Sequence, residues 1–194
     1  ILVHLNEVGM KNTELARLSF LAEAGEHSYH PVKEYLKDQK WDGGDHIAAL
    51  AAHFVDAHNP ITYADGTTKS VIHAWLYRWL IGAVAKVYNP SLAQNAMIVL
   101  DGVQGKGKSY FAKWLCPLPG LHFEGAIHPE DKDYLRYLST RWIWEVNELG
   151  VTMRSADRDA LKAFTTLQEV TYRPAYGKYP LHKPALASFI GTVN

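Results

Sequence analysis

Apolar positions follow two regimes along the chain, with a change near residue 90. Up to that point the spacing is helical. Leu15, Leu18 and Leu21 recur about one turn apart. Pro31 suits a first helical position, where its missing N–H costs nothing, and Val32, Tyr35 and Leu36 follow on one face. Trp41-Asp42-Gly43-Gly44 reads as a turn. Asp45 then caps a helix whose stripe is Ile47, Leu50, Ala51, Phe54 and Val55. Asn59-Pro60 and Asp65-Gly66 mark a loop, and a longer helix is predicted from Ser70 to Tyr88. It carries Val71, Trp75, Leu76, Trp79, Leu80, Ala83 and Val87, with Trp75 and Trp79 read as core residues.

Beyond Asn89-Pro90, short continuous apolar runs replace the stripe. Ala96-Met97-Ile98-Val99-Leu100 has the form of a strand buried on both faces of a parallel sheet. Trp142-Ile143-Trp144 and Ala187-Ser188-Phe189-Ile190 read as two more strands, with helices from Lys108 to Leu115 and from Ser155 to Thr166. The alternation predicts an α/β fold, with a helical domain over residues 1–90 and a parallel-sheet core over 91–194. Composition changes this picture little: 47% hydrophobic and 21% charged residues describe an ordinary folded domain. Lys plus Arg and Asp plus Glu are both 20, which excludes a strongly basic protein but not a local basic site. The single Cys116 excludes an internal disulfide or a Cys-based zinc cluster, and it fits the reducing cytoplasm. No apolar run approaches the length of a membrane span, about 18 residues. The start at Ile1-Leu2-Val3 without Met, and the end directly after an apolar strand, lead to the expectation of a fragment cut from a longer chain.

The strongest chemical signal is Gly102-Val103-Gln104-Gly105-Lys106-Gly107-Lys108-Ser109, a full match to G-x-x-x-x-G-K-[ST]. Glycines at Gly102, Gly105 and Gly107 let backbone N–H groups wrap around a phosphate, with Gln104 and Lys106 between them. Lys108 is placed to reach the β- and γ-phosphates of ATP, Ser109 to hold Mg²⁺, and Tyr110 closes the nucleotide-binding stretch. The strand before the loop and the helix after it are the context this motif requires. Such a site also needs carboxylates for metal and water. Glu145, at the end of a strand, is the candidate Mg²⁺-water ligand and Glu148 the candidate base, the alternative being two solvated loop carboxylates. Asn194 follows the last strand; alone, an asparagine there is most often a turn residue.

Together these residues resemble the virulence-associated protein E family, a branch of the superfamily 3 helicase and AAA+ ATPases of phages, plasmids and integrated elements. The matching pieces run in order from His30-Pro31-Val32 with Tyr35-Leu36 and Trp41-Asp42-Gly43 to Trp79-Leu80-Ile81-Gly82-Ala83-Val84. The phosphate-binding loop, Trp142-Ile143-Trp144-Glu145 with Glu148, Leu161-Lys162-Ala163-Phe164, Tyr172-Arg173-Pro174 with Tyr176-Gly177, and Gly191-Thr192-Val193-Asn194 continue the series. The resemblance implies a P-loop ATPase core and gives Asn194 the place of the sensor that reads the γ-phosphate. It also implies a ring of identical subunits, an arginine supplied by a neighbour, and a primase half or partner. By the resemblance, the region of the arginine finger is expected to lie beyond the sensor, outside residues 1–194. The expected activity is an ATP- and Mg²⁺-dependent motor, with weak or no hydrolysis in this piece alone.

Between Met153 and Pro184 six basic residues stand against three acidic ones, interleaved with tyrosines around Gly177. Basic and aromatic side chains in one turn can grip phosphates and stack on bases. By the resemblance, this hairpin projects into a ring pore and contacts single-stranded DNA through Arg173, Lys178 and Lys183. The residues alone also fit a proline-stiffened surface loop, with Arg173 in a structural role or facing a neighbour's nucleotide. Ten histidines include no set at metal-ligand spacing, and Cys116 reads as a packed thiol. Two rivals share the phosphate loop. A small-molecule or nucleotide kinase would need an arginine-rich lid, and a non-hydrolysing assembly module would dispense with Glu148.

Overall fold

The computed structural model describes every residue except 1–12, 28, 57, 92–93, 129–130, 148, 150–154, 175–176, 178 and 194. By their contacts the residues divide into two units, 1–39 and 40–194. The first unit holds α1 (Thr13–Glu26) and α2 (Pro31–Asp38). Pro31 opens α2 as its spacing predicts, and His30 caps it by accepting from the Lys33 N–H. Leu15, Leu18 and Leu21 are all exposed, so the periodicity of α1 marks a helix and not a buried stripe.

The second unit begins with α3 (His46–Ala51), the strand pair β1 (Ile61–Thr62) and β2 (Thr68–Lys69), and α4 (Val71–Tyr88). There follow β3 (Ile98–Asp101), α5 (Lys108–Trp114), β4 (His122–Glu124), α6 (Lys132–Thr140), β5 (Ile143–Val146) and α7 (Ser155–Thr165). The hairpin β6 (Glu169–Tyr172) and β7 (Leu181–Pro184) precedes the last strand, β8 (Ser188–Val193). Four strands form one parallel sheet in the order β3-β8-β5-β4. The architecture is α/β, as the alternation of patterns predicts. Because β8 inserts between β3 and β5, the C-terminal ends of these strands lie side by side: Asp101 pairs with Val193, and Val146 with Gly191.

Local chemistry explains where elements start and stop. The Asp45 carboxylate accepts from the Ala48 N–H at 2.9 Å and begins α3. The predicted stripe runs on through Phe54 and Val55, but the helix ends at Ala51. Tight bonds from His53 N–H to Leu50 O and from Phe54 N–H to Ala51 O close it, and Val55 is 97% exposed. The loop expected around Asp65-Gly66 contains the short β1–β2 hairpin. β3 is also corrected, since its residues alternate buried and exposed instead of being buried on both faces, with Val99 open to solvent. β4 and α6 have no counterpart in the sequence expectations.

The Ser70 hydroxyl caps α4, which then locks onto the sheet through side-chain donors. Trp79 Nε1 donates to Phe189 O at 2.9 Å, and Trp142 Nε1 donates to Ala83 O at 3.1 Å. The buried Lys86 ammonium donates to Ala187 O at 2.8 Å, and desolvation lowers its pKa to about 8. Asn95 bridges Trp79 O and the Ser188 hydroxyl. Trp79 is thus the core residue expected; Trp75, one turn earlier, is 44% exposed and is not. On the other side of the sheet Trp144 is fully buried among Phe123, Tyr134, Phe164 and Phe189. Each such aromatic contributes about 1.5–3 kcal/mol on burial, enough to fix β5 and the acid it carries.

Candidate functional site

The glycine loop joins the C-terminal end of β3 to α5. Gly105 and Gly107 have φ of 81° and 82°, a region that L side chains rarely adopt, so glycine is required there by the backbone. A Cβ at either would touch nothing within 4 Å. The loop therefore borders open space. Lys108 reaches back over it, donating to Gly102 O and to Val103 O at 3.2 Å. Gln104, Lys106, Ser109 and Tyr110 are exposed along the same turn.

Glu145 lies on the next strand but one, in the middle of β5. It is fully buried, and neither carboxylate oxygen has a hydrogen-bond partner. Desolvation raises its pKa above 4.5. The Ser109 hydroxyl is near enough to offset part of this rise without completing a well-aligned hydrogen bond, and the Glu124 carboxylate adds to it. His122 Nε2 stands 3.7 Å from Glu145 Oε2, also buried and without a hydrogen-bond partner, and burial lowers the imidazole pKa. Asn147 Nδ2 donates to Glu124 at 2.7 Å, leaving a buried Asn147 Oδ1 unmatched. A carboxylate buried without donors is costly. Either a proton or a cation relieves it.

The donor set fits Mg²⁺. Among the described residues no three His, Cys, Asp or Glu side chains converge, as an all-protein metal cage would require. Mg²⁺ is commonly held instead by one or two protein oxygens with waters and substrate phosphates. The Glu145 carboxylate and the Ser109 hydroxyl supply oxygens of that kind beside the loop.

A cleft of about 860 Å³ opens from the loop. Gly102, Lys106 and Lys108 line it together with Phe54, Trp75 and Phe111. Its size falls within the range of small-molecule sites, about 300–1,000 Å³. Val99, the exposed residue of β3, belongs to its wall, which explains why that strand is not covered on both faces.

The structure thus brings the loop residues, Lys108, Ser109 and Glu145 together. Glu148, Asn194 and Lys178 lie outside the described residues, although Val193, just before Asn194, pairs with Asp101 at the root of the loop. Arg173 and Lys183 are exposed on the β6–β7 hairpin. Arg173 Nε donates to Gly177 O at 2.7 Å and so helps to close the hairpin turn. His122, Glu124 and Asn147 were missed from sequence. Only the strand register brings them to the acid, with Glu124 directly opposite Glu145, and nothing in the linear pattern marks that pairing.

A family model described as the virulence-associated protein E-like domain matches residues 36–194. No curated protein matches significantly. Among solved structures, one described as the apo structure of the NrS-1 C terminal region (305-718) is 21% identical with a TM-score of 0.44. It aligns with 60% of this chain and 29% of its own length. A second, described as the A form apo structure of the same region, is 16% identical with a TM-score of 0.48 and aligns with 86% of this chain. The chain spans about a third of those structures, 29% and 36% of their lengths. Among the described residues, no helix is long and apolar enough to cross a membrane.

Proposed function

The chain belongs to the virulence-associated protein E-like domain family, and from that premise we propose that it is an ATP-binding and ATP-hydrolysing motor domain of a replicative DNA helicase or primase–helicase from a mobile element. The observation that carries the reading is the buried Glu145 carboxylate, which lacks a well-aligned hydrogen bond and stands beside Ser109 of a glycine loop with the G-x-x-x-x-G-K-[ST] pattern. A packed core tolerates such a charge poorly, whereas a nucleotide–metal site uses it.

In this reading the loop amides hold the β- and γ-phosphates. The Lys108 ammonium exchanges the carbonyls of Gly102 and Val103 for phosphate oxygens and stabilises the charge on the transferred group. Mg²⁺, when bound, neutralises charge on the phosphate oxygens. Glu145 and Ser109 hold its coordination sphere in place beside the loop. Glu148 accepts a proton from the attacking water, and Asn194 hydrogen-bonds the γ-phosphate. The position of Val193 beside Asp101 supports that last role. Arg173, Lys178 and Lys183 contact single-stranded DNA, and identical subunits assemble as a ring.

The test is ATP turnover by a chain extended beyond residue 194, with and without single-stranded DNA. The expected result is stimulation by DNA and a loss of at least about a hundredfold in Lys108→Ala and Glu148→Gln. Turnover only with a phosphate acceptor would favour a kinase, and tight binding with no turnover an assembly module.

A further inference from the structure

We propose that the cleft beside the glycine loop contains a nucleobase subsite, with Trp75 of α4 as its stacking surface and His58 as the side chain that flanks it. The proposal rests on the nucleotide-binding reading above and adds where the base sits and how it is recognised.

Position is the first argument. Trp75 lines the same cleft as Lys106 and Lys108, so a ligand with phosphates on the loop occupies the cavity that Trp75 borders. Exposure is the second. α4 buries Trp79 one turn later, yet Trp75 stays 44% exposed. A large aromatic ring open to a cleft of ligand size is a ready stacking surface.

The pair is also held in place by other residues. Asp56 accepts from the Ile72 N–H at 3.0 Å through one oxygen and from the His58 N–H at 3.0 Å through the other. It thereby ties the loop after α3 to the first turn of α4. These backbone donors keep the Asp56 pKa low, so the clamp stays charged at neutral pH. The His58 ring is held with its centroid 5.5 Å from that of Trp75, tilted by 58°. The wall of the same cleft includes the carbon side chains of Phe54, Ile72 and Val99. Recognition by ring faces in such a wall is sequence-tolerant, because every base has a π-face. ATP and GTP are therefore expected to bind within a few-fold of one another.

The experiment compares wild type, Trp75→Ala and Trp75→Phe for binding of ATP and of inorganic tripolyphosphate, which has the phosphates but no base. Thermal melts check that each variant is folded. The expected result is that Trp75→Ala weakens ATP at least about fivefold, as for loss of one base–aromatic stack, while tripolyphosphate is unchanged and Trp75→Phe restores most of the ATP affinity. Unchanged ATP affinity in Trp75→Ala overturns the subsite, as does an equal loss for both ligands. Failure of wild type to bind either ligand overturns the nucleotide reading and the subsite with it. Wild-type binding of tripolyphosphate with equal affinity to ATP overturns the subsite alone.

Discussion

At the scale of single residues, Glu145 is the place where folding and function pull apart. Its burial disfavours the charged form, and the nearby Ser109 hydroxyl compensates only in part. Its folded-state pKa lies above the unfolded value of 4.5, so the folded state holds its proton to higher pH. Stability therefore falls as pH rises from 4.5 through the raised value. Glu145→Gln removes that decline. Without nucleotide or metal, the variant is expected to be more stable than wild type at pH 7, by about 1 kcal/mol. The advantage disappears near pH 4, where the wild-type carboxyl is also neutral. Denaturant melts at the two pH values check this, and a variant less stable at pH 7 would contradict it. Magnesium with ATP should then raise the melting temperature of wild type more than that of the variant, because only the carboxylate gains a cation.

At the scale of elements, β8 joins the strand of the glycine loop to the strand of the buried acid. Between β3 and β5, it has a backbone on each side, and Gly191 leaves room for side chains from both. A Cβ at Gly191 would sit 1.9 Å from Leu149 Cδ1 and 3.2 Å from Met97 Sδ. Gly191→Ala is expected to cost about 2 kcal/mol, as overpacking typically does, and urea unfolding of the variant checks it. The sequence pattern reads well where local and tertiary preferences agree: Ser70 caps α4, and the helix runs to Tyr88 as its periodicity predicts. It fails where the tertiary setting decides. Phe54 and Val55 continue the spacing of α3, but the chain leaves the helix there to form the wall of the cleft. His122–Glu124 is too short for any periodicity to show, yet it completes the sheet. α6 did carry a signal, with Asp131 as its cap before Leu135 and Leu138. The glycine loop and Glu145 were legible because their chemistry depends on residue type in short range. The surroundings of Glu145 and the difference between Trp75 and Trp79 depend on which neighbours the fold supplies.

For the whole molecule, balanced charge gives no general attraction to nucleic acid, so the proposed DNA contact rests on a local basic segment, the exposed hairpin. The proposed chemistry is concentrated instead at one end of the sheet. There the order β3-β8-β5-β4 gathers a glycine loop, a buried acid and the strand leading to Asn194, while α4 brings the aromatic wall. Bound nucleotide is the proposal that accounts for these parts jointly. Calorimetric titration of residues 1–194 with ATP and Mg²⁺, alongside Lys108→Ala, tests this most directly. Saturable one-site binding by wild type, weakened at least about tenfold in the variant, is the predicted result. No binding by folded wild type, or equal binding by Lys108→Ala, would contradict it.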